Sequence, residues 1–115
     1  MGAVTLYALL RERCGLSLRE AANFHDVAMN TVESWSSGRR PAPDGVVSEL
    51  RRLYAKIEDA AYQEIADKEG AVDLILASDD TEAASLGWPC VGAHAAMLGI
   101  AAALTHKKVT IAQSA

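Results

Sequence analysis

The sequence is poor in the residues that most chemistry needs: two cysteines, three prolines, one phenylalanine, two tryptophans and three tyrosines in 115 residues. Cys14 and Cys90 lie far apart and match no C-x-x-C spacing, so they read as buried free thiols rather than a disulfide or a metal pair. His25, His94 and His106 have no carboxylate or thiol partner at helical spacing, which argues against a zinc site. The eight glycines are too scattered to cradle a phosphate. No Ser/His/Asp, Cys/His or paired-carboxylate arrangement is recognisable, so neither catalysis nor a metal or other cofactor is expected.

Two further absences concern location. No basic segment followed by a long apolar run opens the sequence, so no secretory signal is expected and the reducing cytoplasm is the expected home. The segment from Leu86 to Thr105 approaches the length that spans a bilayer, but Pro89, His94 and many alanines weaken its hydrophobicity. It reads as a buried interface helix, and no membrane partner is expected.

Half of the residues are hydrophobic and 23% are charged, with few aromatics and abundant alanine, a mixture suited to closely packed helices. The length fits one compact domain, or a small domain with an oligomerising appendage. The net charge of −4 is unevenly spread. Met1 to Ala60 holds eight basic and eight acidic side chains, whereas the remainder holds three against seven. A chain of this overall sign does not bind polyanions indiscriminately, and its arginines are clustered in the first half.

Thr5 can cap a first helix running to about Cys14, with Leu6, Leu9 and Leu10 on one face and Gly15 at its end. Ser17 and Glu20 have capping-box spacing and start a second helix that ends near Phe24. A third runs from about Ala28 to Ser36, buries Val32 and Trp35, and stops at Gly38. Asp44 then caps a long fourth helix reaching about Glu69, whose stripe of Val47, Leu50, Tyr54, Ile57, Ala61 and Ile65 calls for a partner surface. Its distal half exceeds what so small a core can cover, which is a first argument for a dimer. A strand follows in "AVDLILASDD", then a helix from Thr81 or Pro89 to about His106 and a closing strand in "KKVTIAQ".

The short second and third helices, joined by a tight turn, have the form by which many regulators present side chains to the major groove. Ala21, Ala22, Val27, Val32 and Trp35 would pack the pair, leaving Met29, Asn30, Thr31, Glu33 and Ser34 outward. A side-chain amide such as Asn30 can donate to and accept from adenine at once, and Met29 suits a thymine methyl. Thr31 and Ser34 can reach phosphate or base. The loop with Arg39 and Arg40, stiffened by Pro41, would run beside the phosphates, and Arg19 could meet one across the groove.

Gly15, Leu16, Ser17, Ala22, Val27, Thr31, Val32, Trp35, Gly38, Arg39 and Pro41 fall in register with a known pattern. Over residues 4–60 the chain resembles the Cro/repressor-type helix-turn-helix family. The resemblance implies a mainly α fold with a lambda-repressor-like DNA-binding domain, and DNA-facing positions at Ala28, Met29, Asn30, Thr31, Ser34, Arg39 and Arg40. Leu18, His25 and Asp26 depart from the pattern, where a polar residue, a core leucine and a glycine are usual. The segment "LGWPCVGAHAAMLGIAAAL" is similar to a helix of small phage and bacterial regulators, including anti-CRISPR-associated autorepressors.

The expected organisation is therefore a DNA-binding domain over 1–69, including the long helix, and a small α/β dimerisation element over 70–115. Trp88, Val91, Ala95, Leu98 and Ala102 are its expected interface. The expected partners are double-stranded DNA with an inverted repeat and a second copy of the chain, with the activity of an autorepressor. The alternative is an antitoxin or interaction module that neutralises a partner protein through its acidic half and binds DNA secondarily.

Overall fold

The structure, a computed structural model, describes residues 5–66 and 69–114. Among these residues it is mainly helical, with six helices and a two-stranded parallel sheet: α1 (Leu6–Arg13), α2 (Leu18–His25), α3 (Met29–Ser37), α4 (Asp44–Ala66), β1 (Val72–Leu76), α5 (Asp80–Ser85), α6 (Val91–Leu104) and β2 (Val109–Gln113). It divides into two compact units, Met1–Tyr54 and Ala55–Ala115. That division falls inside α4, ahead of the expected boundary at residue 69.

In the first unit each helix end has a local cause. Thr5 caps α1 by accepting from the Ala8 N–H at 3.0 Å, and its hydroxyl also donates to the Ser36 carbonyl at 3.0 Å, so one side chain starts α1 and holds the end of α3. Ser17 and Glu20 form a reciprocal capping box at the start of α2, with bonds of 3.1 and 2.9 Å. Gly38 ends α3 in the left-handed region at φ 84°. A Cβ there would lie 3.3 Å from Thr5 Cγ2, so backbone and packing both call for glycine.

The core of this unit comprises Tyr7, Cys14, Leu16, Ala21, Ala22, Val32, Trp35, Leu50 and Leu53. The expected apolar face of α1 is corrected: Leu6 and Leu9 are each 54% exposed, and Tyr7 with Cys14 points inward instead. Tyr7 wins the interior because its ring meets Trp35 edge-on at 5.5 Å while its hydroxyl finds a polar partner in His25.

The second unit begins in α4. Ile57 and Ala61 are fully buried within it, together with Val72, Leu74, Trp88, Ala93, Met97, Leu98 and Ala101. The distal stripe of the long helix is thus taken up by the chain's own C-terminal half, and the argument for a dimer from its excess length falls. The expected last helix is two: α5 starts on the Asp79 cap, and Gly87 at φ 93° with Pro89 separates it from α6.

Strands β1 and β2 pair in parallel, Val72 with Val109 through Leu76 with Gln113. Val72 and Leu74 are buried while Asp73 and Ile75 are exposed, as their alternation predicts. The intervening α5 and α6 make the crossover that a parallel pair requires. Among the described residues no helix is long and apolar enough to cross a membrane.

Candidate nucleic-acid interface

The connection between α2 and α3 is made by Asp26, which holds φ 58° and ψ 52° in the left-handed region. Its N–H bonds back toward Ala22 and Asn23, and Val27 N–H donates to the Ala22 carbonyl at 3.0 Å. Aspartate tolerates this conformation better than most residues, so a turn usually built on glycine survives here without one.

Ala28 then serves as N-cap of α3 without a side-chain bond. The first N–H groups of the helix therefore retain the partial positive character that favours anions. Ala28, Met29 and Asn30 are exposed, Met29 at 40%, and Thr31 is half-buried. Val32 and Trp35 hold the other side of α3 in the core.

Ser34 corrects the sequence reading. It is buried, and its hydroxyl donates to the Thr31 carbonyl at 2.7 Å, so it faces its own helix rather than outward. Serine makes this bond to the preceding turn readily, which hydropathy periodicity does not reveal. Its own carbonyl accepts from Arg40 N–H at 3.2 Å and from the Ser37 hydroxyl at 3.3 Å. The Arg40 bond folds the arginine loop back against α3.

The result is a pocket of about 330 Å³ lined by Asn30, Thr31, Ser34, Arg39 and Arg40. Five of the eight expected DNA-facing residues meet there, with Ser34 as buried lining and both arginines exposed at its rim. Ala28 and Met29 are exposed at the adjoining start of α3, outside the pocket lining. Arg19 is exposed on α2 and is likewise not part of that lining.

His25, one of the three departures from the family pattern, is the centre of a buried cluster in the same unit. The His25 side chain is fully buried at the end of α2, against Phe24, Tyr7 and Trp35 with ring centroids 5.2, 5.8 and 6.0 Å away. Its Nε2 lies 3.0 Å from the Tyr7 hydroxyl. Its Nδ1 has no hydrogen-bond partner and faces Glu49 Oε1 at 3.6 Å. Burial pushes the imidazole below its ordinary value, with Glu49 pulling the other way, and burial pushes the Tyr7 phenol up to about 12. Side chains of all four helices of the unit thus meet at the residue preceding the turn.

The expected interface in the second unit is corrected in two places. Trp88 and Leu98 are 6% and 4% exposed and belong to the unit's own core. The Lys56 ammonium sits 4.9 Å from the centroid of the Trp88 ring and donates to the Gly87 carbonyl, while His94 stacks on the same ring. Val91 and Ala102 are half-buried, and Ala95 is exposed. Because α6 is apolar on every side, its sequence could not tell which face packs on β1.

Compared with known protein families and with curated proteins, the chain matches none of them.

Proposed function

We propose that the protein is a sequence-specific double-stranded DNA-binding repressor of the helix-turn-helix type, acting on its own promoter as a homodimer over an inverted repeat. The single observation that carries this reading is the convergence of Asn30, Thr31, Arg39 and Arg40 on one pocket beside the uncapped, exposed start of α3. In this reading α3 enters the major groove, Asn30 reads a base edge, and the arginines neutralise phosphates and set the register. Ser34 contributes through its carbonyl, which anchors the loop, rather than through its hydroxyl.

The first unit supplies the cationic rim that such binding needs, while the acidic excess lies in the second and would keep that half off the phosphates. The same excess is what favours the second reading, an antitoxin or interaction module that neutralises a basic partner protein and binds DNA secondarily. Mobility-shift titration of duplex DNA from upstream of the gene distinguishes them. A salt-sensitive, sequence-selective shift at micromolar protein or below supports the repressor. Its absence, with stable co-purification of a small protein encoded next door, supports the interaction module.

A further inference from the structure

The second unit ends on a strand that is unfinished by the usual rules of sheets. Parallel strands are ordinarily buried on both faces. In β2, Thr110, Ile111, Ala112 and Gln113 are all exposed and Val109 is half-buried, so neither face is covered.

The outer edge is open as well. The Val72 N–H donates to the Lys108 carbonyl at 2.8 Å, and the Ser114 N–H donates to the Leu76 carbonyl at 2.9 Å. With the parallel register, these bonds assign the backbone groups of 108, 110, 112 and 114 to β1. The N–H and C=O groups of Val109, Ile111 and Gln113 therefore point away from β1. Among the described residues the sheet has no third strand to receive them.

Natural edges are usually defended by a proline, a bulge or a charge within the strand. The sequence VTIAQ has no proline and no charge. Ile111, in register with Leu74, lies on the face that buries Leu74 to 1%, yet is itself 59% exposed.

We propose that β2 is the dimerisation edge, joined antiparallel to β2 of a second copy of this chain about a two-fold axis at Ile111, so that two parallel pairs form one four-stranded sheet. This rests on the homodimer of the functional reading and specifies how it is built. Ile111 then stands opposite Ile111 of the second copy, and Val109 stands opposite Gln113. The outward backbone groups of the three positions satisfy one another in about six hydrogen bonds. The two exposed Ile111 side chains fall on one face and cover each other.

Charge selects this arrangement over the alternatives. Lys107 and Lys108 precede the strand in each copy, and the antiparallel register sets Lys108 opposite the uncharged Ser114. The two Lys108 residues are then six positions apart along the strands, about 20 Å, roughly twice the screening length at physiological salt. A parallel register would stack lysine on lysine. Because each copy uses the same patch, the contact is self-complementary and closes at two.

The test is cysteine cross-linking in the full-length protein. Opposed residues of a hydrogen-bonded antiparallel pair lie about 5.5 Å apart at Cα, within disulfide range. Under mild oxidation Ile111→Cys is expected to give a covalent dimer at protein concentrations where Thr110→Cys, displaced from its own copy and on the opposite face, gives little. Native Cys14 and Cys90 are buried, so the wild type serves as the blank. Ile111→Lys should shift the wild-type dimer to monomer in light scattering, with its helical circular dichroism unchanged. Equal cross-linking at 110 and 111, or a dimer untouched by Ile111→Lys, would overturn the proposal. Loss of DNA binding in a protein that still cross-links at 111 counts against the repressor reading alone. DNA binding without cross-linking at 111 counts against this interface alone.

Discussion

The two units of the chain solve the same packing problem differently: each leaves apolar side chains more than half exposed, but Leu6 and Leu9 of the first lie on a helix, whereas Ile75 and Ile111 of the second lie on the strands. The first closes its core around Trp35, Tyr7 and Leu50 and leaves arginines at the rim of its pocket. The second buries a stripe of α4 and one side of α6 but leaves Ile75, Leu86 and Ile111 more than half exposed. Four of the five residues of β2 are exposed, the observation on which the proposed pairing of two copies rests.

Each unit also buries one histidine, and the pair makes the contrast chemical. His94 uses Nδ1 to accept from the Ala77 N–H at 3.1 Å, so the proton of its neutral ring sits on Nε2. Its basicity is held below the ordinary value by burial, against the pull of Glu64 and Glu82. His25 has the same cause of depression, but its Nδ1 is unsatisfied and faces a carboxylate. Protonating His94 at Nδ1 breaks a structural bond, whereas a protonated His25 has the carboxylate of Glu49 beside its ring. The first unit therefore has the softer response to acid.

The largest effect expected is on the core. Leu50→Ala in the first unit and Leu74→Ala in the second should each cost about 2–5 kcal/mol of stability in denaturant titrations, since both side chains are essentially fully buried. Ile111→Ala in dilute, monomeric protein should cost well under about 1 kcal/mol, because that side chain is largely in solvent already. If all three were equal, the contrast between the closed and the unfinished faces would be wrong.

Next comes the proposed interface. Asn30→Ala should lower the preference of the protein for its operator over altered sites by about 1–3 kcal/mol, with little change on random DNA. A uniform loss on every sequence would make Asn30 a phosphate contact instead.

Acid should act more gently. The folded state disfavours the His25 proton, so the unfolded chain takes it up first as the pH drops below the ordinary value of 6.5. Stability is then unaffected at higher pH and falls as the pH goes below that value, at no more than about 1.4 kcal/mol per pH unit per histidine. His25→Leu should flatten the response of Trp35 fluorescence in a Trp88→Phe background, leaving the contribution of His94 to the second unit. An unchanged slope would mean that His25 does not titrate.

The smallest change is expected at the turn. Asp26→Gly replaces a left-handed aspartate with the residue that adopts φ 58° freely. It should shift stability by about 1 kcal/mol or less, in either direction, as relief of strain offsets the gain in unfolded-chain entropy. A loss of several kcal/mol would show that the Asp26 side chain does more than tolerate the turn.

Much of this was legible in the sequence because caps and stops are local. Thr5, Ser17 with Glu20, and Gly38 placed the first three helices to within a few residues, and the alternation of Val72 to Leu76 placed β1. Asp44 marked the start of α4 as its first residue rather than as its cap, and the end expected near Glu69 falls beside residues 67–68, which lie outside the described residues. What was not legible depended on tertiary choice. Three leucines on α1 have the spacing of a core face, yet Leu6 and Leu9 are exposed and Tyr7 takes the interior by offering it both a ring and a hydroxyl. Ser34 had the period of an outward residue and turned inward to bond its own helix. Leu98 could not be assigned to a face of a helix that is apolar nearly all round, Trp88 lies in the connection before that helix, where no periodicity speaks for it, and the length of α4 pointed to a partner chain when the partner was the same chain. The meeting of Asn30 and Arg40, ten residues apart, follows from the motif, but the role of the Ser34 carbonyl in securing it is set by the tertiary fold.

The central claim is that Arg39 and Arg40 face the same duplex as the start of α3. Its most direct test is the salt dependence of binding to the upstream DNA, measured by fluorescence anisotropy for the wild type and for Arg39→Ala/Arg40→Ala. The account predicts weaker binding to all sequences by the double variant, and a slope of log affinity against log salt that is shallower by about two. An unchanged slope, or a wild-type protein that shows no salt-dependent binding to that DNA, would contradict it.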